Sequence, residues 1–176
     1  MKKYQLKLIK PDVKYKDQVI DVISEVKKDS DPFGTGKWYL DIDINRFDEF
    51  VQTKINEEDG KSLPEGYVSS STYWAIDEND RYIGRITLRH ALTENLMITG
   101  GHIGYDIRPS KRNKGYASEM LSLCLVEAKK IGLDKVLLTT YDYHSASRKV
   151  MENNGAILQD YVANGDKSNA RYWIHL

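Results

Sequence analysis

The chain holds a single cysteine, Cys124, among its 176 residues. One thiol excludes an intrachain disulfide and a thiolate zinc cluster. Histidine is also scarce, and His90, His102, His144 and His175 are dispersed, so no metal-ligand spacing emerges and no metal is expected. No segment approaches the roughly 20 apolar residues of a membrane span. The N-terminal MKKYQLKLIKPD alternates charge with apolar residues and lacks the apolar centre of a signal peptide. Excess charge is missing too: 26 Lys and Arg face 26 Asp and Glu. That balance argues against sequence-independent nucleic-acid binding and against attachment to an anionic membrane. Neither an internal repeat nor a low-complexity tract is present. The expectation is one cytoplasmic domain over residues 1–176, long enough to bury its own core.

Against that plain background, the run Arg112-Asn113-Lys114-Gly115-Tyr116-Ala117 stands out. It lies between a strand-like segment, Gly101–Arg108, and an amphipathic stretch, Ala117–Ile131. A basic turn with glycine that opens a helix suits phosphate. The first helical N–H groups lack intrahelical partners, and the helix dipole adds partial positive charge there. Gly115 permits a backbone conformation closed to other residues and lets phosphate oxygens approach the main chain.

The surrounding pattern reads as alternating strands and helices. Tyr4, Leu6 and Leu8 mark a first strand stopped by Pro11, and Val19, Val22, Ile23 and Val26 follow at helical spacing. Asp29–Lys37 is a loop. Its GTGK lacks the lead and the hydroxyl of a phosphate loop, since Trp38 follows, and is discounted. Phe47, Phe50, Val51 and Ile55 predict a second helix. Strands follow at Tyr67–Ile76 and Tyr82–Leu92, joined by a hairpin turn at Asp77–Asp80, and Glu94–Gly100 links to the third. In the helix after the phosphate loop, Met120, Leu121, Cys124, Leu125 and Ala128 form one stripe, so Cys124 reads as a buried hydrophobe. Lys135–Tyr141 is a buried strand, and Ser145–Asn154 a short helix closed by Gly155. Ala156–Ala163 and Ala170–Leu176 flank a turn at Asn164-Gly165-Asp166.

Arg112-x-x-Gly115-x-Ala117 resembles the Arg/Gln-x-x-Gly-x-Gly/Ala signature of the GNAT acetyltransferases, and the order of elements is similar to the complete GNAT succession. GGHIGYDIRPS, SRKVMENNGA and RYWIHL look most like uncharacterised bacterial predicted acetyltransferases, and His-Ile-Gly-Tyr is similar to Glu-Ile-Gly-Tyr in ribosomal-protein N-terminal acetyltransferases. The resemblance implies an α/β fold: a single GNAT-like domain whose mixed, mostly antiparallel sheet has a central splayed parallel pair and is flanked by about four helices. It also implies acetyl-CoA as cosubstrate, no metal, and transfer of acetyl to a primary amine by direct attack. A homodimer is left open. A non-catalytic acyl-CoA-binding module is the alternative, and a nucleotide-phosphate-binding protein unrelated to coenzyme A a third reading.

The same resemblance assigns residues. Arg112, Asn113, Lys114, Gly115, Tyr116, Ala117 and Ser118 would receive the pyrophosphate, with Arg108 and Lys111 beside them. Ile107 and its neighbours would offer main chain to the pantetheine arm. His144-x-x-Ser147 with Gly155 corresponds to the family's Asn-x-x-Ser/Ala motif, with histidine in place of asparagine; a plain helix cap is the other reading. The tyrosine that many members place seven residues further on is Met151 here, so Tyr143, Tyr141 or water is left as proton donor. His102 stands where relatives carry a glutamate and is the candidate base, with a strand histidine hydrogen-bonded for structure as the other reading and His90 and Glu94 in reserve. Trp38, Tyr39, Asp41, Asp43, Trp74, Tyr172 and Trp173 are candidates for a cationic amine or for the core.

Overall fold

The structure, a computed structural model, describes residues 5–61 and 63–176. The elements run β1 (Lys7–Ile9), α1 (Lys16–Lys28), α2 (Phe47–Asn56), β2 (Ser70–Ile76), β3 (Tyr82–Arg89), α3 (Glu94–Ile98), β4 (Ile103–Ile107), α4 (Tyr116–Lys130), β5 (Lys135–Tyr141), α5 (Ser145–Glu152), β6 (Ile157–Asn164) and β7 (Lys167–His175). This is the expected order with one addition. Tyr4, expected to begin the first strand, lies outside the described residues. The addition is α3, in the segment read as a link, where Thr93 Oγ1 caps the turn by accepting from Leu96 N–H at 3.2 Å.

The apolar periodicities become two cores on opposite faces of the first sheet. In β2, Tyr73 and Ala75 point to the α4 side, while Trp74 and Ile76 point to α1 and α2, and every residue of the strand is buried. Val19, Val22, Ile23 and Val26 seal α1 onto the second face, and Met120, Leu121, Cys124 and Ala128 seal α4 onto the first. Between β2 and β3, the Asp77 carboxylate accepts from Asn79 N–H at 3.0 Å and Arg81 N–H at 2.9 Å, which shapes the expected turn.

Two sheets form rather than one. The order β1-β2-β3-β4 makes the first and β5-β7-β6 the second, and every pairing between strands is antiparallel. The expected central parallel pair is therefore not present as a ladder among the described residues. Instead β4 and β5 are edge strands of different sheets, joined just before β4. There His102 N–H donates to Leu137 O at 2.7 Å, and Leu137 N–H donates to His102 Nδ1 at 2.9 Å. Gly101 makes this contact: its φ is +60°, and a Cβ there would sit 2.4 Å from Leu137 O. Beyond the junction a cavity separates the strands, so no ladder forms.

Candidate active site

The cavity between the sheets measures about 1090 Å³ and is lined by β4, the second half of β5, the start of α4, the start of α5 and the loop after α1. Its size suits a ligand of cofactor dimensions. At one end lies the turn that the sequence singled out. Pro109–Lys111 forms a single 3₁₀ turn, Asn113 has φ +60° and Gly115 has φ +88°, and α4 begins at Tyr116. These left-handed residues turn the chain so that the helix opens onto the cavity. The N–H groups of Asn113, Gly115 and Ala117 meet no acceptor among the described residues, and all three residues line the cavity.

Arg112, Tyr116, Ser118, Ile107, His144 and Ser147 line it as well. Arg112 is already engaged. Its guanidinium donates to Asp29 Oδ2 at 2.6 Å, to Thr35 O at 3.2 Å and to Ile107 O at 3.2 Å, with Asp31 at 3.8 Å. It therefore clamps the loop after α1 to the end of β4. Ser118 is held by Asn154 Nδ2, which donates to its Oγ at 3.0 Å. His144 Nδ1 accepts from Ser147 N–H at 3.4 Å, and its ring stacks on Phe33 with centroids 3.6 Å apart. Burial lowers its pKa, so the ring is neutral and serves as both helix cap and cavity wall.

Lys111 and Tyr141 also line the cavity, whereas Arg108, Lys114, Tyr143, His102, His90 and Glu94 lie outside its lining. Arg108 pairs with Glu25 and donates to Tyr82 O at 3.3 Å. Lys114 donates to Ser110 O at 2.9 Å on the exposed side. Tyr143 is 56% exposed and stacks between Tyr141 and Phe33, beside a separate shallow depression. His102 is buried, and burial together with the Arg89 charge holds its pKa down to about 4. Its Nδ1 lone pair is occupied by Leu137 N–H, so the neutral ring carries its proton on Nε2 and has no lone pair left to act as a base. Of the residues offered for an amine, only Trp38 lines the cavity; Tyr39, Trp74 and Tyr172 are core, each 1% exposed.

Other lining residues carry further polar groups. Arg85 stacks over the Trp38 ring at 3.5 Å. Its Nη2 donates to Asp106 Oδ2 at 3.2 Å, and Trp38 Nε1–H donates to the same oxygen at 2.9 Å. Asp106 Oδ1 and Arg85 Nε are buried without a partner among the described residues. Arg89 donates from Nη1 to the carbonyl oxygens of Gly100 at 3.2 Å and Gly101 at 3.0 Å. Midway along, Tyr105 OH lies 3.1 Å from Ser147 Oγ, and burial pushes the phenol up to about 12, so it keeps its proton. In sequence, Tyr105 reads as one more apolar position of an alternating strand. Arg85 and Arg89 had a signal: they alternate with Ile86 and Leu88, which puts both cations on one face. Cys124 is core, and burial pushes its thiol up to about 12, so it supplies no nucleophile.

Comparison with known proteins places this architecture. The profile of the GNAT acetyltransferase domain matches residues 23–157, and the chain belongs to that family of acyltransferases. No match is found among curated protein sequences. Among solved structures, a GNAT-family acetyltransferase from Bacillus anthracis superposes with TM-score 0.63 at 19% identity, over 98% of this chain and 96% of that one. RimL, a ribosomal-protein alpha-N-acetyltransferase in complex with coenzyme A, gives TM-score 0.73 at 16% identity, over 97% and 94%. The Microcin C7 self-immunity acetyltransferase MccE, in complex with acetyl-CoA and AMP, gives 0.71 at 12% identity, over 97% and 92%.

Proposed function

We propose that the protein transfers an acetyl group from acetyl-CoA to a primary amine by direct attack. The observation that carries this reading is one cavity lined both by the phosphate turn, where the N–H groups of Asn113, Gly115 and Ala117 meet no acceptor among the described residues, and by the Arg85–Asp106 pair. The turn fits a pyrophosphate by its N–H groups and helix dipole, with Lys111 at its rim. β4 and β5 each turn an unpaired edge to the cavity, and such edges fit an extended amide-containing arm. Acetyl-CoA, when bound, supplies an acetyl thioester whose leaving group is a thiol.

The protein's own groups then divide the proton work. The Asp106 carboxylate, at the cavity wall, takes a proton from the acceptor ammonium through water and leaves a neutral amine to attack. It takes this role in place of His102, whose lone pair is engaged. An N–H on the open edge of β4 steadies the carbonyl oxygen as negative charge develops. The Tyr105–Ser147 hydroxyl pair delivers a proton to the departing sulfur, a role that Met151 cannot fill. His144 and Phe33 close the wall and exclude water. With no thiol at the cavity, the amine attacks the acetyl carbon without a covalent enzyme intermediate.

Isothermal titration calorimetry with acetyl-CoA, desulfo-CoA and ATP, followed by thiol release with a panel of amines, tests this reading. Binding of both CoA compounds over ATP, with turnover, supports it. Binding without turnover would make the protein a non-catalytic acyl-CoA module, and tighter binding of ATP a nucleotide binder.

A further inference from the structure

Within the acetyl-transfer reading, we propose that the acceptor is a small primary amine that also carries an oxyanion, a carboxylate or a phosphate, and that Arg89 binds this anion with Arg85 alongside. The charge census of the cavity lining is the first reason. Three carboxylates line the cavity: Asp29, Asp31 and Asp106. The first two lie against Arg112 and the third pairs with Arg85, which leaves no lining carboxylate for Arg89. Arg89 has no carboxylate within 4.0 Å among the described residues; its bonds go to two neutral carbonyl oxygens through Nη1 alone. Its Nε and Nη2 meet no acceptor there. A half-buried guanidinium without a counter-charge is poorly stabilised, and an anion in the cavity would relieve this. Burial and the Arg85 charge lower the Arg89 pKa, in agreement.

Shape is the second reason. Arg85, Thr87 and Arg89 share one face of β3, and Thr87 pairs with Gly104 of β4. Gly104 leaves the floor open: a Cβ there would meet only the Arg89 guanidinium, at 3.8 Å. Gly104, Arg85 and Arg89 all line the cavity. An amine whose nitrogen lies beside the Asp106 wall can therefore extend its anionic end over Gly104 towards Arg89. A polycation in the same place would meet two guanidinium groups.

Initial rates of thiol release, measured with acetyl-CoA and matched acceptor pairs, test this. The pairs are glycine with glycinamide and O-phosphoethanolamine with ethanolamine, with spermidine as a polycation. The anionic member of at least one pair should have a kcat/KM about tenfold or more above its neutral partner, and which pair does so identifies the oxyanion. Arg89→Gln, which keeps donors for the two carbonyls, should raise KM for the anionic acceptor about tenfold while KM for acetyl-CoA holds; Arg89→Lys should restore part of it. Should Arg89→Gln fail to fold, the matched pairs on the wild type decide. Acetyl-CoA binding by calorimetry with no preference for either anionic member, or with spermidine preferred, overturns the anionic acceptor and leaves acetyl transfer standing. Absence of acetyl-CoA binding overturns both.

Discussion

His102 and Leu137 exchange two hydrogen bonds, at 2.7 and 2.9 Å, and this exchange joins the two sheets at the head of the cavity. The imidazole accepts one of these bonds, so the junction needs a neutral ring. The folded pKa is about 4, below the ordinary unfolded value near 6.5. Below the unfolded value the unfolded chain binds more protons than the folded one. The stabilisation is complete above about pH 6.5 and is lost as pH falls towards 4. Urea unfolding at a series of pH values should show His102 contributing on the order of 2–3 kcal/mol to this loss. His102→Asn, whose side-chain oxygen can accept from Leu137 N–H, should have a flatter profile between pH 6.5 and 4.5 than the wild type. Superimposable profiles would show that His102 is not the group responsible.

Gly101→Ala should be costly although it adds one methyl group. At φ +60° the new Cβ lies 2.4 Å from Leu137 O, so the junction must open. A loss of about 2 kcal/mol or more is expected from the backbone strain and the clash together. Denaturant midpoints would show it, and acetyl-CoA affinity should fall in parallel because the cavity mouth is displaced.

Gly115→Asp places a side chain and a negative charge at a left-handed residue beside three unpartnered N–H groups. Calorimetry should show acetyl-CoA affinity reduced at least about tenfold, with circular dichroism of the folded chain retained. Unchanged affinity in the folded variant would remove the phosphate site from the loop.

Arg112 and Asp29, 2.6 Å apart, tie the loop after α1 to the phosphate turn. A double-mutant cycle with Arg112→Met and Asp29→Asn should give a coupling of about 1 kcal/mol in stability, as expected for a partly buried pair. Arg112→Met should also weaken acetyl-CoA binding, because the cavity wall carrying Phe33 loses its anchor. Additive effects would mean that the two ends are held independently.

Tyr105→Phe and Ser147→Ala remove the two hydroxyls 3.1 Å apart at the middle of the cavity. Each should lower kcat by about tenfold to a hundredfold and leave KM for acetyl-CoA within about threefold, since the missing proton is needed only as the thiolate departs. A rise in KM at constant kcat would assign the pair to binding instead.

Local pattern was legible without coordinates. The stripe from Met120 to Ala128, the alternation Ile103-Tyr105-Ile107 and the glycine punctuation at 115 and 155 each follow from nearest-neighbour chemistry, and together they gave the order of elements and the phosphate turn. Side-chain direction was not legible. Arg108 and Arg112 sit four residues apart in one basic run; one faces Glu25, outside the cavity, and the other lines it while clamping Asp29. Tyr143, attractive by position, stands outside the cavity, while Tyr105, hidden in an apolar alternation, lines it.

By itself the sequence determined one α/β domain, its succession of strands and helices and the turn that opens α4, because periodicity, capping and glycine act over a few residues. Only the tertiary structure decided that the strands divide into two antiparallel sheets and that His102 is a joint. It also brought Arg85, Arg89 and Asp106 into the lining of one cavity. Those outcomes depend on contacts between strands distant in sequence, such as His102 with Leu137, and on the space left where β4 and β5 do not pair.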